Sequence, residues 1–138
     1  MSDNEVLSRF TERFSEERPS LEQRLEGEPW EDIGAFSVLR GIRDRALMLE
    51  LRKKTGSVLA VGYGWLEKAE FDPSEGITLH MVGQAIRIRG RNLNAEVRPQ
   101  IRLFDALVRH RVPFIREAGN GERIRTAETA CIVESIDW

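Results

Sequence analysis

The sequence predicts an α+β fold: a small bent antiparallel β-meander or barrel with N-terminal helices, and one helix before a closing C-terminal strand. Three observations predict it. Apolar residues recur every three or four positions near the N-terminus and again after Pro99, the period of an amphipathic helix. Between them, apolar and polar residues alternate in short segments separated by turns, most of which contain glycine. With 138 residues, 41% of them hydrophobic, the chain suits one domain with its own core.

Residues 1–38 are predicted to form an acidic helical arm. Phe10 and Phe14 belong to one apolar stripe, and Arg18-Pro19 should end that helix because the residue before proline avoids the helical region. Such a narrow stripe cannot form a core alone. We expect it to dock on the rest of the chain, to pair with another copy, or to stay partly disordered. Residues 39–138 are predicted to form a single α+β core domain.

The first two predicted strands are residues 45–52 and 57–71. In the first, alternation places Leu47 on the same face as Leu49 and Leu51. In the second, Trp65 follows Tyr63 at strand spacing, so we expect Trp65 in the core. The opposite face carries Ala60, Gly62 and Gly64, which offer almost no side chain. That face favours close approach of another backbone or sharp curvature.

The remaining elements follow in order. The turn at residues 72–76 precedes a third strand at 77–82 and a fourth at 85–91. Residues 99–118 change to helical period, with Pro99 opening the helix and Arg111-Val112-Pro113 ending it. A last strand is expected within residues 125–138. Glycines between short bent strands are typical of small barrels.

Arginines alternate with isoleucines in the fourth predicted strand. Because successive strand side chains point to opposite faces, Arg87, Arg89 and Arg91 form a row with a spacing of roughly 7 Å. Three guanidinium groups in a row could bind phosphates or carboxylates of a nucleic acid or another polyanion. They could equally pair with acidic side chains on adjacent strands. Arg109 and Arg111 are added as candidate anion-binding residues, although cations at a helix C-terminus also stabilise the helix dipole.

Charge is segregated along the chain. The total is −2, yet residues 1–38 hold four arginines and ten acidic residues, for a charge of −6. Residues 84–125 hold ten arginines and four acidic residues, for a charge of +6. This pattern predicts that the acidic arm lies against the arginine-rich part, within one chain or between copies.

Several classes of function have no support in the sequence. The single cysteine, Cys131, excludes an intrachain disulfide, and no metal motif surrounds His80 or His110. No nucleophile elbow, P-loop or dinucleotide fingerprint is present, so no catalytic residue and no cofactor is predicted. The N-terminus lacks an apolar signal region, and no apolar stretch is long enough to span a membrane. We therefore expect a cytoplasmic protein that is not an enzyme.

Large aromatic residues are the candidate partner-binding residues. Trp30 stands between acidic residues beside Pro29, and Trp138 is the last residue. Trp30 could fasten the arm to the core, and Trp138 is either tucked into the domain or an anchor for a partner. With Phe10 and Phe14 they form the set predicted to contact a protein partner.

One local segment resembles a known family. Residues 88–93, Ile-Arg-Gly-Arg-Asn-Leu, resemble the Arg-Gly strand signature of the Sm-like RNA-binding small barrels. The Asp-x-x-Asn motif of that family is missing, and a helix follows the predicted meander here, whereas Sm-like proteins place theirs before it. The resemblance implies a small barrel and oligomers, and it does not by itself imply RNA binding.

The function expected from these patterns is that of a small non-enzymatic assembly or adaptor domain. It would self-associate into a homo-oligomer or bind a protein partner through exposed edges and the apolar helical stripe. The alternative is nucleic-acid or other polyanion binding through the arginine-lined strand.

Overall fold

The structure is a computed structural model, and it describes residues 29–119 and 130–138. These residues contain helix α1 (Leu103–Val108), a 3₁₀ turn (Tyr63–Trp65) and nine strands. The strands are β1 (Trp30–Asp32), β2 (Ser37–Leu39), β3 (Met48–Arg52), β4 (Val58–Gly62), β5 (Leu66–Asp72), β6 (Gly76–Met81), β7 (Gln84–Arg91), β8 (Phe114–Arg116) and β9 (Ile132–Asp137).

The described strands form three sheets, and none of them closes into a barrel. A two-stranded hairpin joins β1 and β2, a three-stranded sheet has the order β4-β3-β8, and a four-stranded sheet has the order β5-β6-β7-β9. Every strand pair is antiparallel except β3 and β8, which run parallel. The strand-rich antiparallel architecture expected from the alternating pattern is therefore confirmed.

A hydrophobic core lies between the inner faces of the three-stranded and the four-stranded sheet. Strand β2 and helix α1 also contribute buried side chains to it. Strands β6 and β7 show the alternation most clearly: every second residue of β6 is buried, and in β7 the buried Ile86 and Ile88 alternate with exposed residues. The largest fully buried side chains come from seven elements and one bridge residue: Phe36, Val38, Leu49, Leu51, Ile77, Leu79, Ile86, Ile88, Leu103, Leu107, Ile115 and Ile136.

The expectation of helix through residue 38 is wrong for the described part of that segment. Residues 30–39 form the β1–β2 hairpin, with Trp30 opposite Leu39. The reason is packing, because Phe36 and Val38 enter the core and Phe36 bridges to Ile115 in β8. The helices predicted around Phe10 and Phe14 lie outside the described residues.

The single strand predicted at 57–71 is two strands in different sheets. It breaks at the 3₁₀ turn between Gly62 and Leu66, so β4 pairs with β3 while β5 pairs with β6. The predicted four-strand meander therefore becomes a hairpin, β3–β4, followed by a three-strand meander, β5–β6–β7. This break separates the two larger sheets and accounts for the open arrangement in place of the predicted barrel.

The helix predicted after Pro99 is shorter than expected. Gln100 has a positive φ of 64°, and an isolated bridge joins Arg98 to Ile101, so the helix begins only at Leu103. Strand β8, which the sequence did not reveal, follows α1 directly. The closing strand is present as β9. In the described part of the chain, no helix has the length and apolar character needed to cross a bilayer.

Candidate functional site

The two aromatic residues of the 3₁₀ turn have opposite environments. Tyr63 is buried, its hydroxyl donates to the carbonyl of Val112 at 2.7 Å, and its ring stacks on His110. Trp65 is 61% exposed, which corrects the prediction that it lies in the core. Residues two apart in a strand share a face, whereas a 3₁₀ turn has three residues per turn and separates them.

Trp65 belongs to an exposed apolar cluster, which we call the apolar end. A side chain at Gly62 would meet the Trp65 ring at 3.1 Å and the Met48 sulfur at 3.7 Å, so these two side chains converge over Gly62. The Val82 N–H donates to the Trp65 carbonyl, and the Leu47 carbonyl accepts from the Tyr63 N–H. The apolar end consists of Leu47, Met48, Trp65 and Val82, which are 87%, 48%, 61% and 51% exposed.

Leu47 also departs from its predicted place. It was expected beside Leu49 and Leu51, which are buried, but it precedes the first residue of β3 and is exposed. Alternation identifies the face of a strand residue only as far as the sheet extends. For the same reason, alternation did not predict the exposure of Trp65 and Val82, because both residues lie in turns.

Strand β4 has an open backbone edge next to the apolar end. It is the outer strand of its sheet. The Ser57 carbonyl accepts from Lys53 and the Tyr63 N–H donates to Leu47, so the odd-numbered residues between them turn their backbone toward β3. The even-numbered residues Val58 and Ala60 turn their N–H and C=O groups outward, and no described strand pairs with β4 on that side. Gly62 turns its N–H outward, while its carbonyl belongs to the i→i+3 bonding of the 3₁₀ turn that follows.

The β4 edge carries no charge. Residues 57–66 form a ten-residue run without Asp, Glu, Lys or Arg, and Val58 is 55% exposed. Natural edge strands are usually protected from pairing by charged residues, proline or bulges. Strand β5, the outer strand of the four-stranded sheet, shows this protection with Glu67, Lys68, Glu70 and Asp72. Of the two outer strands β4 and β5, only β4 therefore lacks this protection.

The three arginines of β7 lie on the exposed face, as their alternation with buried Ile86 and Ile88 predicts. Arg87 lies opposite Asp137 on β9 and Thr78 on β6. Within residues 29–119 and 130–138, no ion pair or side-chain hydrogen bond involves Arg87, Arg89 or Arg91.

Arg109 and Arg111 do not lie in the β7 row. Both follow helix α1, and both have contacts with other groups of the chain. Arg109 pairs with Asp105 at 3.2 Å. Arg111 is partly buried, and its guanidinium donates to the Leu39 carbonyl at 2.6 Å. These contacts give both residues a structural role in holding the end of α1 and strand β2.

Two acidic residues of the N-terminal segment contact the arginine-rich part, as the charge pattern predicts. Glu31 pairs with Arg98 at 3.0 Å, and Asp32 pairs with Arg116 at 2.7 Å. Both pairs are partly exposed, so each contributes about 0–1 kcal/mol to stability. They anchor the β1 end of the hairpin to two arginines outside the β7 row.

The predicted aromatic anchors have contacts within the chain. Trp30 is partly buried and packs edge-to-face on Phe114, with 6.4 Å between ring centroids. Trp138 is 41% exposed, and the Lys53 ammonium lies 4.2 Å from its ring centroid. Phe10 and Phe14 lie outside the described residues.

Glu70 and Cys131 have shifted pKa values with clear physical causes. A hydrogen bond to His80, 2.6 Å between Nε2 and Oε1, lowers the pKa of Glu70, and the charge of Lys68 adds to this effect. Burial raises the pKa of the Cys131 thiol to about 12, so the thiol stays protonated at neutral pH. Among the described residues, no group of three His, Cys, Asp or Glu side chains could hold a metal ion.

Comparison with known proteins adds no relative to this description. No protein-family model, curated protein or solved structure matches the chain.

The residues missed at the apolar end have a signal in the sequence. Trp65 follows Gly64 directly, near the end of the charge-free run, and a strand that reaches it would have to continue through Gly62 and Gly64. Glycines that interrupt a strand pattern on both sides of an aromatic residue indicate a turn near that residue.

Proposed function

We propose that this chain is a small non-enzymatic assembly domain of the cytoplasm, which associates with protein through the apolar end and the open edge of β4. The observation that carries the proposal is Trp65, a tryptophan more than half exposed beside the exposed Met48 and Leu47. Contiguous exposed apolar surface marks interaction sites in soluble proteins, whereas scattered apolar residues do not.

The energetics favour protein as the ligand. Tryptophan is among the residues that contribute most at protein interfaces, especially where a surrounding rim excludes water. The adjacent β4 edge offers backbone donors and acceptors that an incoming strand can satisfy. Apolar contact and strand addition together give both affinity and a defined register.

The test is sedimentation velocity on the full chain with two tryptophan variants. We expect the wild type to sediment as an assembly, alone or with a purified partner, and Trp65→Ser to weaken that association at least tenfold. Trp138→Ser is the matched control, because it removes another exposed indole from a different position. We expect it to associate like the wild type.

Retention of full association by Trp65→Ser would overturn the proposal, and a simultaneous loss in Trp138→Ser would transfer the function to the C-terminus. A monomeric wild type that binds no protein would overturn it as well. Far-ultraviolet circular dichroism establishes that both variants remain folded.

The second candidate function is polyanion binding through the β7 row, favoured by the three exposed arginines on one face. Glu70, Asp72 and Asp137 share the sheet, so the row is locally offset by acidic groups. Phosphate contacts would give an affinity that falls with salt, by roughly one unit of log–log slope per contact. Absence of DNA or RNA retardation at low salt would exclude this function.

A further inference from the structure

We propose that the partner of the β4 edge is a second copy of this chain, paired antiparallel through β4 around a two-fold axis at Ala60. The inference rests on the proposed function and specifies its partner. Each β4 strand would extend the other sheet, giving a continuous six-stranded sheet with the order β8-β3-β4-β4-β3-β8.

The backbone of β4 is self-complementary in this register. Val58 and Ala60 direct their N–H and C=O groups outward, and Gly62 directs its N–H outward, because the bonds of Ser57 and Tyr63 turn the odd-numbered residues toward β3. In an antiparallel pair, residues that exchange both bonds lie directly opposite each other. A two-fold axis at Ala60 places Ala60 opposite its own copy and Val58 opposite Gly62 of the other chain.

The side chains fit the same register. The exposed face of β4 tapers from Val58 through Ala60 to Gly62, so the largest residue of each copy meets the smallest residue of the other. Trp65 and Met48 converge over Gly62. In the dimer they would therefore flank Val58 of the second copy and remove exposed apolar surface on both chains.

Charge and size determine which occupant is favoured. A two-fold axis brings every charge near its own copy, so a self-pairing edge must avoid charge, and β4 does. Specific interfaces bury about 800 Å² per partner. A five-residue strand edge together with the side chains of Met48, Val58 and Trp65 would bury a smaller area than this. We therefore expect a weak dimer, with a Kd on the order of micromolar.

The experiment compares Ala60→Lys with Ala85→Lys in the full chain by sedimentation equilibrium. Ala60→Lys places two lysines opposite each other at the axis, and we expect it to raise the dimer Kd at least tenfold. Ala85 is also an exposed strand alanine, on β7, and its lysine variant carries the same added charge. It should dimerise like the wild type.

A crosslink measures the register directly. Ala60→Cys, treated with a short bis-maleimide, should give a covalent dimer, while Ala85→Cys should remain a monomer. The native Cys131 is buried with a raised pKa, so it supplies little background.

The outcomes separate the two proposals. If Trp65→Ser disrupts association but Ala60→Lys and the Ala60→Cys crosslink show no β4 pairing, the self-pairing inference is overturned and the assembly function stands. If neither Trp65→Ser nor Ala60→Lys weakens association, both are overturned. Crosslinking of Ala60→Cys together with loss of the dimer in Ala60→Lys supports the inference.

Discussion

At the residue scale, Tyr63 links two parts of the molecule that are far apart in sequence. Its ring stacks on His110 and its buried hydroxyl donates to Val112, so it joins the end of β4 to the segment between α1 and β8. Burial raises the pKa of Tyr63 far above its ordinary value of 10.0, so the hydroxyl remains a donor throughout the working pH range.

Tyr63→Phe tests this link. The substitution leaves the buried Val112 carbonyl without its side-chain donor, and we expect a loss of roughly 1–3 kcal/mol in the free energy of unfolding. Urea denaturation followed by circular dichroism measures it. An unchanged midpoint would show that the hydrogen bond contributes nothing.

Gly90 provides a second residue-scale prediction. A Cβ atom there would overlap the Ile132 carbonyl oxygen across the β7–β9 pair, beside the register shift at Arg89. We expect Gly90→Ala to lower the unfolding free energy by roughly 1–3 kcal/mol. Gly64→Ala is the control, since nothing lies within 4 Å of its added carbon. Equal effects of the two substitutions would contradict the close approach.

The residue environments that could be predicted are those inside regular strands. Alternation predicted the buried Ile86 and Ile88 and the exposed arginines between them. It failed for Leu47 and Trp65, because the first lies beyond the end of a sheet and the second lies in a turn with a different period. Leu47 and Trp65 of the apolar end are thus positions where the strand period stops applying, whereas Met48 lies within β3.

At the element scale, the outer strands of the two larger sheets differ in how they avoid pairing. The β5 edge is charged and the β4 edge is not, although only three residues separate the strands. Edge protection is a property of sequence, but the sequence alone does not show which strand lies at an edge. The charge-free run of residues 57–66 indicates an unprotected edge only because β4 is an outer strand of its sheet.

The β5–β6 pair makes a pH-dependent prediction. Because His80 and Lys68 lower the pKa of Glu70 in the folded chain, Glu70 stabilises the fold above its unfolded pKa, and this contribution is lost as pH falls through its folded pKa. His80→Ala should raise the Glu70 pKa toward 4.5. Lys68→Ala should raise it less, since the charge of Lys68 is the smaller cause.

Carbon-detected NMR titration of the Glu70 carboxyl measures both variants. A Glu70 pKa that stays at its wild-type value in His80→Ala would contradict the assigned hydrogen bond. Because Glu70 is exposed, the associated change in overall stability should be small.

Strands that have an alternating pattern and flanking turns could be predicted from the sequence. A short strand that pairs with a strand far away in the sequence could not. Strands β3, β6 and β7 have alternation and turns that mark their ends. Strand β8 has three residues and pairs in parallel with β3, more than 60 positions earlier in the sequence. Nothing in so short a segment indicates a partner at that distance.

At the scale of the whole molecule, the net charge of −2 conceals a contact between opposite charges. The pairs of Glu31 with Arg98 and of Asp32 with Arg116 join the acidic segment to the arginine-rich one. The predicted contact between the two segments is thus seen for Glu31 and Asp32, while the other eight acidic residues of the arm lie outside the described residues. Segment charges could not predict that a β-hairpin would position these two residues, since charge totals contain no information on backbone conformation.

At the scale of the whole molecule, the proposed association would use one end of the protein. The apolar end and the open β4 edge lie together because the 3₁₀ turn both terminates β4 and turns Trp65 outward. A backbone edge and an apolar surface in one place form a more specific binding site than either alone.

The most direct test is NMR-detected amide exchange of the full chain at low and high protein concentration. We predict that the N–H groups of Ala60 and Gly62 exchange freely when dilute and become protected when concentrated, while those on the open edge of β5 exchange equally fast in both. Fast exchange of Ala60 and Gly62 at every concentration would contradict association through the β4 edge.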